Sequence, residues 1–253
     1  MKLISIIILI LLFSVNIFAR EEGQTEITTE DGIEVFQNEK FYLLKKNVNI
    51  KSDNFILDAD NVKIEFDTNL YDIIKLDAEG NVKFDSVEFK VNGSGETLTF
   101  LVKTEELKIE GTGSELSTEE VNMFSDGYVE INNQNGKFSL KGLNSKLINE
   151  TIFIEAESID GIFSSNEINK EIIFLDVIDK NISYIKNNDT EMFAKKINFN
   201  ENTSLIELID NVTIIRDGEK ITGDYGTLDT TNNSYKIKSN KKSKVKVIIK
   251  SNE

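Results

Sequence analysis

The sequence predicts an all-β protein made of repeated strand units, on three observations. Val, Ile, Leu, Phe and Tyr recur at every second position along most of residues 33–237. Polar clusters short enough to be turns separate these stretches. Blocks of similar design return at a regular interval: Asn47 and Asn81 stand 34 residues apart, Asn181 and Asn211 stand 30 apart. Period two puts alternate side chains on one face of a strand. A repeat of this length marks stacked supersecondary units, none of which buries its apolar face alone.

The first element is an address rather than a fold. Residues 1–19 read MKLISIIILILLFSVNIFA, with Lys2 before an apolar run from Leu3 to Phe13 and a small residue, Ala19, at a plausible cleavage point. The run is shorter than the roughly 20 residues a bilayer-spanning helix needs, so it reads as a cleaved secretory signal. An uncleaved anchor is the alternative, because Val15–Phe18 prolongs the apolar stretch. Residues 20–238 then form the strand domain and 239–253 a lysine-rich tail.

Within the domain the pairs Val48/Ile50, Val62/Ile64, Val82/Phe84, Leu98/Phe100, Leu107/Ile109, Val129/Ile131, Phe138/Leu140, Ile152/Ile154, Ile182/Tyr184, Val212/Ile214 and Tyr235/Ile237 are all spaced by two. These β-branched and aromatic residues suit a pleated, half-buried surface. Turns are expected at 51–54, 67–69, 92–95, 132–136, 187–189, 217–218 and 231–233, where Asn, Asp, Gly and Ser cluster. In each repeat a strand is expected to begin near Asn-Val, with a second strand 12 to 14 residues on. No stretch reads as a helix of three turns.

Composition excludes much chemistry. The 253 residues include no Cys, His, Pro or Trp, and Arg only at 20 and 216. Disulfides, thiolate or histidine metal centres and His-dependent catalytic triads are therefore ruled out. The formal charge of −15 argues against nucleic acid, whose phosphates need a basic surface. Paired carboxylates such as Asp58/Asp60 and Glu119/Glu120 are expected by chance in so acidic a chain. No catalytic residue, metal or cofactor is predicted.

Three stretches carry a family resemblance: residues 33–40 (IEVFQNEK) with Asn47–Ile50 and Leu57–Asp60, then Leu76–Phe84 (LDAEGNVKF), then Asn211–Gly226 (NVTIIRDGEKITGDYG). Together they resemble the OstA-like family, the LptA type of periplasmic lipopolysaccharide-transport protein. The resemblance implies a folded-over stack of antiparallel strands, a β-taco or β-jellyroll, with an apolar interior groove. It implies a non-enzymatic periplasmic bridge that carries lipopolysaccharide between the two membranes. Its partners would be LptC-like and LptD-like components and further copies of itself, joined end to end. The chain departs from the family in lacking proline, in its greater length between Glu110 and Phe124, and in the lysine-rich tail.

A lipid carrier must hide acyl chains, and burial is worth about 0.8 kcal/mol per CH₂, or on the order of 10 kcal/mol for a dozen carbons. An apolar trough is thus the required feature. Its expected liners are Ile50, Ile64, Phe66, Phe84, Phe100, Ile109, Ile131, Leu140, Ile154, Tyr184, Ile197, Ile214 and Tyr225. Taken singly, each reads as packed core; the groove is a property of the set. Residues 20–235 carry 21 basic and 43 acidic residues, net −22, whereas 236–253 hold seven Lys and one Glu, net +6. With so little arginine, the lipid would be held by its tails. The tail reads as a solvated terminus or as a tether to an anionic surface or an acidic partner. Other readings are a membrane-anchored LptC-like subunit, a β-helical enzyme acting on acidic polysaccharide, and a surface structural repeat.

Overall fold

The computed structural model describes residues 23–164, 171–232, 234–240 and 244–249; the expected signal segment, 1–19, lies outside them. Among the described residues eighteen strands form one sheet, in which long strands adjacent in sequence pair antiparallel. Ten are long: β3 (Phe41–Lys51), β4 (Phe55–Phe66), β5 (Ile73–Ser86), β6 (Val91–Leu101), β11 (Lys137–Ile148), β12 (Ile152–Phe163), β13 (Ile172–Asn187), β14 (Thr190–Asn200), β15 (Leu205–Arg216) and β16 (Glu219–Asp229). The other eight are short and work in twos: β1 (Glu26–Thr28) with β2 (Ile33–Phe36), β7 (Glu106–Glu110) with β8 (Ser114–Thr118), β9 (Asn122–Ser125) with β10 (Tyr128–Asn132), and β17 (Ser234–Lys238) with β18 (Lys246–Ile248). Each such couple pairs with the two halves of one neighbouring long strand, as β1 and β2 do along β3. Ten long and four broken strands therefore make fourteen rungs. Among the described residues the sole helical element is a 3-10 turn at Glu201–Thr203.

Every rung is bent near its middle, and this converts a flat sheet into two facing walls. The register slips at Lys45/Val48, Glu79/Val82, Ile178/Ser183 and Ile209/Val212. At three of these slips, and at a further one at Lys141/Ser145, the backbone turns left-handed, with positive φ at Lys46, Asn47, Asn81, Asn144, Asp210 and Asn211. Asn and Asp tolerate this region better than other residues with a Cβ. A bulge bends a strand and increases its twist, so bulges stacked rung upon rung draw a continuous crease. The expectation for Asn-Val is thereby corrected. The motif does not open a strand; it marks the corner in mid-strand, where Asn supplies the left-handed residue and Val48, Val82 or Val212 is the first to point inward.

Polar side chains bind the crease together from outside. Asn47 donates to Glu30 at 2.7 Å, Asn81 to Asp60 at 2.9 Å and Asn144 to Asp126 at 2.6 Å. Inside, small hydroxyls fill the apex: buried Ser125 and Ser145 lie 3.0 Å apart, and Ser183 donates to the Lys195 carbonyl. Gly127 and Gly142 meet where a Cβ on either would strike the other rung's backbone.

Wall A holds β2, β7, β10, β17 and the halves of the long strands that pair with them; wall B holds β1, β8, β9, β18 and the remaining halves. Their facing surfaces form a single core running the length of the stack, including Leu57, Ile109, Leu116, Met123, Leu140, Ile154, Ile159 and Leu208, none measurably exposed. Two further expectations change. Asn92–Gly95 is not a turn but lies inside β6, because its glycines make room: a Cβ on Gly93 or Gly95 would strike the side chain of Ile109. Part of the lysine-rich tail is ordered as β18 on Lys220–Thr222 of β16.

The cleft between the walls as candidate functional site

Opposite the crease the walls end in two rows of hairpin turns, and the space between these rows is the mouth of the cleft. Most of the sequence-predicted liners face this cleft. Ile50, Ile64, Phe66, Ile109, Ile131, Leu140, Ile154, Ile197 and Ile214 are all buried at 4% exposure or less. They pack against one another, so the deep part of the cleft is filled rather than open. Phe84, at 9%, and the half-buried Phe100 lie nearer the mouth and line a cavity there.

Tyr184 and Tyr225 are corrections, since both project from the outer surface. In β13 the inward residues beyond the corner are Ser183 and Ile185, which leaves Ile182 and Tyr184 outside. There Tyr184 stacks on Phe193 at 4.8 Å and meets Phe153 at 5.7 Å. Tyr225 follows a corner that shifts the alternation by one, so Gly226 and Leu228 face inward instead. Its hydroxyl donates to Glu207 at 2.9 Å. That bond, with burial, raises the Tyr225 pKa. Burial first, then the nearby carboxylates of Glu191 and Glu155, raise that of Tyr184.

Among the described residues, two apolar cavities open along the mouth. The first, of about 560 Å³, lies between β4–β6 of the two walls and is lined by Phe55, Ile73, Leu76, Phe84, Phe89, Leu98 and Phe100, with Asp72, Glu88 and Glu105 at its rim. Tyr71, 92% exposed, stands at its lip. Phe89 and Phe100 meet with ring centres 6.1 Å apart, as do Phe55 and Phe84 at 6.2 Å. The second, of about 330 Å³, is lined by Ile152, Ile172, Leu175, Ile185, Phe199 and Ile206. Both fall in the size range of small-molecule sites, roughly 300–1,000 Å³. Sequence reasoning missed Phe55, Ile73, Phe89, Phe199 and Ile206. All five sit near hairpin turns, where period-two pairs run out.

The outer surfaces are charged and paired. Across wall A run Lys63–Glu65 at 2.6 Å, Lys75–Asp77 at 2.8 Å, Lys108–Glu110 at 2.7 Å and Lys196–Asp176 at 3.0 Å, with Lys141 on Asp160 between them. The bond to Glu110 is the main cause of a raised Lys108 pKa. Glu130, half-buried beside this strip, is pushed up by burial and then by Glu106, Glu110 and Asp160, against the pull of Lys108. None of the displaced groups lines either cavity. Among the described residues no group of three or more acidic side chains is arranged to hold a metal. None of their helices is long and apolar enough to cross a membrane.

No curated protein matches the sequence. Among solved structures the chain is similar to LptH, the LptA homologous periplasmic component of the lipopolysaccharide transport device from Pseudomonas aeruginosa. The likeness is at 13% identity and a TM-score of 0.41, over 52% of this chain and 95% of that one. Residues 26–137 match a family model described as LptA/(LptD N-terminal domain) LPS transport protein. That segment runs from the first rung to the start of β11 and contains nearly all of the first cavity's lining. Over residues 26–137, a little under half of its length, the chain is thus similar to the LptA/LptD N-terminal-domain family of lipopolysaccharide-transport proteins.

Proposed function

We propose that this chain is a periplasmic bridge protein that carries lipopolysaccharide from the inner to the outer membrane, its acyl chains held between the two walls. The observation that carries this reading is the first mouth cavity, an apolar recess of about 560 Å³ ringed by four phenylalanines inside the family-matched segment. An acyl chain seated there would leave water at about 0.8 kcal/mol per CH₂. The acidic rim would leave the anionic headgroup solvated. The deeper liners, Ile50, Ile64, Phe66, Ile109, Ile131, Leu140, Ile154, Ile197 and Ile214, are packed together. On this reading they take part only if the walls spread. Tyr184 and Tyr225 have no part in it.

The ends of the stack favour end-to-end self-association. The described outer edges of the first rung, β1–β2, and the last, β17–β18, have no partner strand there. Each also exposes apolar residues, Ile33 and Val35 at one end and Val247 and Ile249 at the other. The first rung carries Glu26, Glu30, Asp31 and Glu34; the last carries Lys236, Lys238, Lys244 and Lys246. Opposite charge on two different surfaces suits a head-to-tail joint that propagates. LptC-like and LptD-like components would use the same two ends.

Photocrosslinking tests the reading. A probe at Phe84 captures lipopolysaccharide in cells, while one at the neighbouring outward position Asp85 does not; equal labelling at both would defeat it.

A further inference from the structure

We propose that the outer face of wall A carries a saccharide-binding recess in the distal half of the stack. The recess faces away from the cleft, and the inference does not depend on the carrier reading.

The recess, of about 360 Å³, opens over β13, β14 and β15. Antiparallel register sets the side chains there in three rows. Phe174, Asn200 and Leu205 form the first, Asp176, Asn198 and Glu207 the second, and Ile178, Lys196 and Ile209 the third. They alternate with Leu175, Val177, Ile197, Ile206 and Leu208, which are buried in the core, so the rows point outward. A polar middle row is thus flanked by apolar side chains, of which Phe174 is 40% exposed.

Two unmade hydrogen bonds single this place out. Among the described residues three buried side-chain atoms have no hydrogen-bond partner, and two of them, Asp176 Oδ1 and Asn198 Oδ1, belong to neighbours in the middle row. Lys196 lies 3.0 Å from that Asp176 oxygen without hydrogen-bond geometry, and donates to Oδ2 at 3.3 Å. Glu207 accepts from the Tyr225 hydroxyl through one oxygen only. Buried acceptors in a folded protein normally have a partner, and the partner has to donate. An anion has nothing to donate and meets two carboxylates. A simple cation meets the Lys196 ammonium. An uncharged sugar ring fits both demands: its hydroxyls donate to the Asp176, Asn198 and Glu207 oxygens and accept from the Asn198 amide, while a C–H face lies on the Phe174 ring. The Lys196 ammonium, on its flexible four-carbon stem, moves aside as a hydroxyl reaches Asp176. The volume lies in the range of small-molecule sites. Cell-wall glycan and the sugar portion of lipopolysaccharide both offer this chemistry.

Amide NMR spectra of the purified, isotope-labelled chain test the site. The probes are chitotriose, for wall glycan, and lipid-free core oligosaccharide, for the sugar of lipopolysaccharide. Saturable shifts are expected over residues 174–178, 196–200 and 205–209 with at least one probe, and the probe that acts identifies the source. Phe174→Ala, at an exposed position, should weaken that binding about fivefold through the lost ring contact. Asn198→Ala should weaken it about fivefold through lost hydrogen bonds. Both variants should bind amphiphile at the mouth as the parent does. No shift with either probe, shifts confined to other faces, or undiminished affinity in either variant when folded would overturn the recess and leave the carrier reading standing. A parent chain that binds sugar here but no amphiphile would overturn the carrier reading alone.

Discussion

Asn81 turns its backbone left-handed, φ 49°, and donates from Nδ2 to Asp60 on the preceding rung at 2.9 Å. One residue thus bends β5 and ties that bend to β4. The same pairing recurs at Asn47–Glu30 and Asn144–Asp126, so the crease is a ladder of these units. Asn81→Ala loses both the hydrogen bond and the tolerance for positive φ, and should cost about 2 kcal/mol. Asn81→Gly keeps the conformational freedom and should cost less. Urea unfolding monitored by circular dichroism checks the order.

The filled depth of the cleft gives a second expectation. Ile154, with no measurable exposure, is surrounded by core. Ile154→Ala should destabilise by about 2–5 kcal/mol, through lost burial and the cavity left behind. A loss well under 1 kcal/mol in a denaturant titration would mean that the walls stand apart in solution.

Gly93 tests how closely the walls approach. A methyl group there meets Ile109, and overpacking of this kind costs about 1–3 kcal/mol. Gly93→Ala should therefore lower the melting temperature. The double variant Gly93→Ala with Ile109→Val should recover part of the loss, which a merely conformational role for Gly93 would not produce.

Glu130 gives a pH dependence of unusual sign. Its pKa is raised in the fold, first by burial and then by its acidic neighbours. The folded state thus holds this proton at a pH where the unfolded chain has released it. Stability from this group is full below the ordinary glutamate range and is lost as pH rises through the folded pKa. Glu130→Gln should therefore raise the melting temperature at pH 7, with the gain shrinking toward pH 4. Thermal scans of both proteins across that interval provide the check.

Self-association through the ends should be sensitive to charge and salt. Replacing Lys236, Lys238 and Lys246 with Glu should shift sedimentation toward the monomer at low ionic strength. For the parent chain, raising salt should have the same effect, since exposed charges are screened over about 8 Å at physiological ionic strength.

Much of this architecture was legible in the residues. Period two identified the strands, and most of the apolar positions it picked, from Ile50 to Ile214, face the cleft. What could not be read is the bend. Asn serves equally in a turn between strands and at a left-handed corner within one, so Asn47-Val48 and Asn211-Val212 read as strand openings. The corner also shifts the alternation. Counting by twos from Ile221 leads to Tyr225, but the corner at Asp224 hands the inward position to Gly226. Tyr184 misled for a different reason. Its partner across the alternation is Ser183, a small hydroxyl that fills the inner apex and bonds to the Lys195 carbonyl. Hydrophobicity therefore favoured the outer residue. The mouth cavities were invisible because they depend on which turn tips oppose each other across the cleft.

The most direct test of an acyl-binding cleft is equilibrium binding of lipopolysaccharide to the purified, folded chain, with and without the substitutions Phe84→Glu and Phe100→Glu together. The parent chain should bind saturably, in competition with a single-chain amphiphile, and the double variant should lose binding at the first cavity with its circular dichroism spectrum retained. A parent chain that stays folded and binds no amphiphile, its walls packed shut, would contradict it.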